Sequence, residues 1–247
     1  MDWLSNHWRK SPVLPRIVPL LAYLVLTGFQ GKLGPASQFW VYFLKTIAGA
    51  FLLWSVLPFV AEIKWQPSWE ACLVGVGVFV MWVGLDSGLI ALGLAHSYPK
   101  SIPELKLLLG WQASVGPADL PPPWNPHLAF GQDSPLAWLF ILVRLLGSSL
   151  VVPAIEEVFY RSFLYRWLHQ PDFQAVSIGR FYPVSFLLTA LIFASSHYQW
   201  LAAILCAFAY QGLVCWKNRL GDAIVAHAIT NFLLGLWVVF RPAWNFW

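Results

Sequence analysis

Seven stretches of this chain are apolar over most or all of the length needed to leave water, and that succession constrains its fold more than any motif. They cover roughly residues 13–29, 39–61, 71–94, 136–152 with a continuation to 168, 184–196, 200–216 and 221–240. A helix crosses a bilayer with about 20 predominantly apolar residues, and shorter runs suffice where flanking residues snorkel or polar groups face the bundle. Soluble proteins carry about a quarter of their residues as charges, whereas this chain of 247 residues is 59% hydrophobic and 11% charged. The expectation is therefore an all-α, polytopic transmembrane helical bundle of about seven to eight spans. One integral-membrane domain takes up residues 1–247, since no repeat, low-complexity tract or linker divides it.

The net charge of +4 is small and dispersed, which excludes a nucleic-acid footprint. With the N-terminus in the cytoplasm, one side collects Arg9, Lys10, Arg16, Lys64, Arg166, Arg180, Lys217 and Arg219, and the other Lys32, Lys100, Lys106 and Arg241. The positive-inside rule favours that orientation. The first span is read as retained rather than as a cleaved signal peptide. Cys72, Cys206 and Cys215 lie in apolar runs without paired metal-binding spacing, so no disulfide framework or structural zinc is expected. Residues 95–135 form a Pro-rich loop. Within it, IPELKLLLGW (102–111) reads as a short amphipathic helix lying in the interface.

Ionisable side chains at membrane depth cost at least a few kcal/mol on insertion scales, so each needs a partner or a task. They include Lys45, Asp86, Arg144, Glu156, Glu157, Arg161, His197 and His227, accompanied by the polar Asn231. Lys45 and Arg144 are expected to pair with Asp86 or Glu157 or to meet headgroups. Asp86, beside Gly84 and Gly88, reads as the cap of a helix break, with an extra functional acid as the alternative. In VVPAIEEVFYRSF, Pro153 can kink a helix or open its first turn. Glu157 and Arg161 are four apart, hence on one face and able to pair, while Glu156 points about 100 degrees away. One carboxylate can thus be locked while the other stays available as a general base.

His197 ends FLLTALIFASSH one turn after Phe193, and His227 and Asn231 share one face in HAITN. A carboxylate, two imidazoles and a carboxamide on three helices suit water addition to a carbonyl, with Glu156 and His197 deprotonating water and His227 and Asn231 donating to an oxyanion. Singly, each has a plainer reading: an intramembrane His that bonds a neighbouring helix, or a structural ion pair. A zinc site is a further alternative, although no HExxH is present.

In order, EEVFYR (156–161), FASSH (193–197) and HAITN (227–231) resemble the CPBP family, the intramembrane group of CAAX prenyl endopeptidases and bacteriocin-processing or immunity proteins, whose pattern reads EExxxR, FxxxH and HxxxN. The similarity covers about residues 136–240 as the catalytic core. It implies a glutamate-dependent intramembrane endopeptidase without a catalytic metal or other cofactor, acting on a membrane-anchored protein or peptide. Carried over, Glu156 with His197 activates water, His227 and Asn231 hold the oxyanion, and Glu157, Arg161 and Phe193 support them. The stretches around EEVFYR and after HAITN resemble a CAAX protease-related branch associated with exosortase systems, which implies a bacterial plasma membrane. A non-catalytic immunity or binding protein of the same fold is the alternative, and a zinc-dependent membrane protease another.

One requirement follows from length. A straight helix over 200–216 is about 25 Å long, which separates His197 from the start of the last span. For the histidines to meet, the connection at 196–199 must dip into the bundle, or the helices must tilt or break.

Overall fold

The structure is a computed structural model that describes residues 2–91 and 124–247. Those residues contain nine longer helices: α1 (Asp2–Lys10), α2 (Leu14–Phe29), α3 (Ser37–Val56), α4 (Trp69–Ala91), α5 (Pro126–Phe130), α6 (Pro135–Trp167), α7 (Pro183–Ser195), α8 (Trp200–Lys217) and α9 (Gly221–Phe240). Five of them, alone or with a short extension, are long and apolar enough to cross a membrane, namely α3, α4, α6, α8 and α9, while α2 and α7 are shorter apolar helices. Large apolar side chains such as Leu24, Val25, Leu44, Leu73, Val80 and Leu187 stand exposed around the bundle. A lipid-facing surface explains an exterior that water would not favour. The expected interfacial helix at 102–111 lies outside the described residues.

Small residues set the tightest packing. A Cβ on Gly75 of α4 would meet the Ala226 carbonyl of α9 at 2.6 Å and Ile229 at 2.9 Å. Backbones that close leave no room for a methyl group. Across this seam Thr230 donates toward the Gly75 carbonyl, 2.8 Å away.

One end of the bundle is tied by ions. Arg16 of α2 grips Glu62 through two hydrogen bonds of 2.9 and 2.7 Å and reaches Ser162 of α6 at 2.8 Å. Arg166 of α6 pairs with the same Glu62. Burial alone would raise the Glu62 carboxyl, but the two guanidiniums outweigh it and hold the group below the ordinary carboxylate range. Lys217 pairs with Glu70 at 2.8 Å, and Arg219 with Asp222. Arg16, Arg166, Lys217 and Arg219, all from the larger set of sequence charges, thus share one end.

Two sequence expectations are corrected here. Helix α4 runs without interruption from Trp69 to Ala91, so Asp86 caps no break; Gly84 and Gly88 are tolerated because the ladder of the helix continues through them. Lys45 and Arg144 pair with neither Asp86 nor Glu157. Each sits instead over aromatic rings, Lys45 above Tyr23 and Tyr42 and Arg144 above Tyr42, Trp124 and Trp247, while Glu157 is engaged elsewhere.

Candidate active site

Helix α6 carries the two glutamates and is wound to present them. Ser134 caps its start, the side chain accepting from Leu136 N–H at 3.3 Å, and Pro135 takes the first turn, where a missing N–H costs nothing. Farther on, residues Gly147–Val151 widen into π turns, in which the Val152 N–H reaches back five residues to the Gly147 carbonyl. In that register residue 153 would bond the Ser148 carbonyl. Residue 153 is a proline and has no N–H, and the orphaned carbonyl is taken by Asn231 Nδ2 of α9 at 2.9 Å. Pro153 therefore does not break the helix; it frees an acceptor that anchors the HxxxN asparagine.

The glutamates divide as their helical positions require. Glu157 is fully buried, with one oxygen 3.1 Å from Arg161 Nε and the other 3.0 Å from His227 Nδ1. Arg161 is also fully buried, its guanidinium 4.8 Å from the Phe193 ring centre, with Tyr160 and Tyr210 beyond. Glu156 turns the other way, toward a cavity, and its Oε2 lies 3.9 Å from His227 Nε2. That gap is too long for a direct hydrogen bond and suits one water bonded to both.

Both imidazoles are fixed in tautomer by their neighbours. A carbonyl only accepts, so His197 Nδ1, 2.9 Å from the Phe193 carbonyl, carries the proton and leaves Nε2 without one in the neutral ring. The Glu157 carboxylate imposes the same tautomer on His227. His227 also stacks on Tyr210 at 4.9 Å, whose hydroxyl donates to Thr230 at 2.7 Å. The α4–α9 seam and the orientation of His227 are thus one network.

The length problem is solved by α7. Its 13 residues span about 20 Å at 1.5 Å per residue, short of the roughly 30 Å hydrocarbon core. The next connection is pinned by Trp82 of α4, whose Nε1 donates to Gln199 at 2.8 Å. Trp82 is twelve residues beyond Glu70, about 18 Å from the ionic end, so the connection sits inside the bundle. His197 then folds back to stack on Phe193 at 4.5 Å, and Phe193 reaches His227 at 6.2 Å.

Glu156, His197, His227 and Asn231 consequently line one cavity of about 320 Å³, together with Phe193 and Ser148. All four candidate catalytic residues and the three supporting ones are brought together. Irregular backbone at membrane depth is tolerated where it lines such a cavity. The Glu157–His227 bond, the Ser148 acceptor and the Tyr210–Thr230 brace had not been foreseen; only the proline before the glutamates signalled the second. Among the described residues, no three His, Cys, Asp or Glu side chains gather as a metal-binding group.

The site lies in a stretch that is similar to a known family. Residues 137–233 match the family model described as type II CAAX prenyl endopeptidase Rce1-like, a stretch from the start of α6 past HAITN in α9. Comparison with curated proteins and with solved structures returned no match. Over residues 137–233, from α6 into α9, the chain is therefore similar to the Rce1-like type II CAAX prenyl endopeptidases.

Proposed function

We propose that this protein is a glutamate-dependent intramembrane endopeptidase that hydrolyses a peptide bond in a membrane-anchored protein or peptide. The observation carrying the reading is the 3.9 Å gap between Glu156 Oε2 and His227 Nε2 inside a cavity that also holds His197 and Asn231. A water in that gap gives a proton to Glu156 as its oxygen bonds to the scissile carbonyl carbon. The carbonyl becomes an oxyanion, which receives hydrogen bonds from the second N–H of Asn231 and from His227 when its Nε2 is protonated. On collapse the C–N bond breaks, and the proton held by Glu156 passes to the departing amine. His197 Nε2 accepts the other O–H of this water and orients it, so His227 Nε2 carries a proton here and donates rather than accepts. Glu157 and Arg161 keep their charges matched and hold the His227 ring in place.

The shared position of Arg16, Arg166, Lys217 and Arg219 supports a cytoplasmic location for that end and for the N-terminus. The motifs and the family similarity support a bacterial plasma membrane enzyme.

Hydrolysis is tested by incubating purified protein in lipid with membrane-anchored candidate substrates in ¹⁸O-labelled water. Mass spectrometry should find one labelled oxygen in one new carboxylate, and His227→Ala should yield none. Cleavage without label incorporation would overturn the water mechanism. Failure of wild type to cleave across a broad substrate panel would favour a non-catalytic binding protein.

A further inference from the structure

Among the described residues, two cations of the bundle face no anion. Lys45 of α3 is 4% exposed, its Nζ 2.9 Å from Thr27 Oγ1 and 4.5 and 4.7 Å from the ring centres of Tyr23 and Tyr42. Arg144 of α6 is half-buried and lies 4.4 Å from the Trp124 ring centre, 5.0 Å from Tyr42 and 5.3 Å from Trp247. Among the described residues no carboxylate forms a salt bridge with either, whereas Arg16, Arg161, Arg166, Lys217 and Arg219 each have one. Removing a cation from water is expensive unless an anion accompanies it, and aromatic faces offset only part of that cost. Among the described residues this pair of cations is therefore an incomplete ion site.

Its location says what completes it. Lys45 and Arg144 line the same cavity as Glu156 and His197. Arg144 precedes Glu156 by twelve residues on α6, about 18 Å along the axis. Its guanidinium is held by rings, a rigid planar fork suited to a carboxylate. Tyr23 and Tyr42 also line the cavity, and the Tyr42 hydroxyl donates to the Arg144 carbonyl at 3.4 Å.

We infer that Lys45 and Arg144 form a subsite for a carboxylate of the substrate, either an acidic side chain or a chain terminus, at the end of the cavity remote from Glu156. This rests on the reading of the cavity as a peptide-hydrolysing site. An extended peptide advances about 3.3 Å per residue, and Asn231 holds the scissile carbonyl near Ser148, one turn from Arg144, so that carboxylate lies a few residues from the scissile bond. The subsite sets where along a substrate the reactive water falls.

The test uses lipid-anchored, C-terminally amidated twelve-residue peptides carrying one glutamate or one glutamine at stepped positions, and a neutral peptide with a free terminal carboxylate. Binding is measured by fluorescence anisotropy to the Glu156→Gln protein in phosphatidylcholine nanodiscs. At least one acidic peptide should bind about tenfold tighter than its neutral twin. Lys45→Gln and Arg144→Gln should each reduce that preference severalfold, and Arg144→Lys should retain part of it. If Arg144→Gln does not fold, Arg144→Lys and Lys45→Gln carry the comparison. Equal binding of acidic and neutral twins at every position would overturn the subsite, as would a preference that survives in the double variant. A preference that vanishes in phosphatidylglycerol nanodiscs would overturn it in favour of a lipid phosphate. Charge-selective binding without cleavage by the wild type would sink the hydrolytic reading and leave the subsite standing. Cleavage without charge selectivity would do the reverse.

Discussion

His227 Nδ1 and Glu157 Oε1 stand 3.0 Å apart in the buried centre of the bundle, and the second oxygen of the same carboxylate faces Arg161 at 3.1 Å. Adjacent glutamates thereby receive opposite assignments. Glu157 is held by a cation on its own helix and an imidazole on α9, so its neighbour Glu156 is the one left facing the cavity.

Glu157→Ala leaves a buried guanidinium without its anion, a change that typically costs about 3–5 kcal/mol. The double variant Glu157→Met with Arg161→Met removes both charges and should unfold at a higher temperature than Glu157→Ala alone. Thermal unfolding in detergent makes the comparison. Equal losses in the single and double variants would mean that the pair does not balance buried charge.

Pro153→Ala restores an N–H that competes with Asn231 for the Ser148 carbonyl. Alanine also favours the helix by about 3 kcal/mol over proline where packing permits. The variant should therefore be at least as stable as wild type while kcat falls about tenfold. Undiminished kcat in a folded Pro153→Ala protein would show that the freed carbonyl does not position Asn231.

Two glycines one turn fraction apart on α4 should respond with opposite signs. A methyl group at Gly75 meets the Ala226 carbonyl, whereas one at Gly77 meets nothing within 4 Å. Gly77→Ala should gain up to about 1 kcal/mol from helix propensity. Gly75→Ala should lose about 1–3 kcal/mol through overpacking, and because Thr230 and Tyr210 brace His227 from the same seam, activity should fall with it. Chemical denaturation of the two variants side by side checks the order.

The ionic end predicts acid sensitivity. Glu62 has a carboxyl held below its ordinary range by Arg16 and Arg166, so its contribution to stability is fully present above the ordinary carboxylate pKa of about 4.3. It is lost as pH falls through the lower folded value. Glu62→Gln should be less stable at neutral pH and show a shallower decline in melting temperature on acidification. A parallel decline in both proteins would remove Glu62 from the account.

The class of fold and the candidate residues that share helix faces are legible in the sequence because both rest on local pattern. Apolar runs separated by short polar turns dictate helices in lipid, and the four-residue spacings of Glu157 with Arg161 and His227 with Asn231 place each pair on one helix face. What was not legible depends on the relations between helices. The spacing of Gly84, Asp86 and Gly88 suggested a break, yet α4 passes through because glycine inside a helix costs only about 1 kcal/mol. Lys45 and Arg144 were correctly singled out as expensive, but their aromatic surroundings come from α2, α3, residue 124 and the terminal segment together. The depth of His197 depended on the shortness of α7 and on the Trp82–Gln199 bond, which joins residues more than a hundred positions apart.

The central claim is that Glu156 withdraws the proton from the attacking water. Single-turnover cleavage of a membrane-anchored substrate in lipid, wild type against Glu156→Gln, each with and without a strong chelator, measures it most directly. The account predicts chelator-resistant cleavage by the wild type and a loss of about three orders of magnitude or more in Glu156→Gln, with the variant folded and still binding substrate. Cleavage by Glu156→Gln within tenfold of wild type would contradict it.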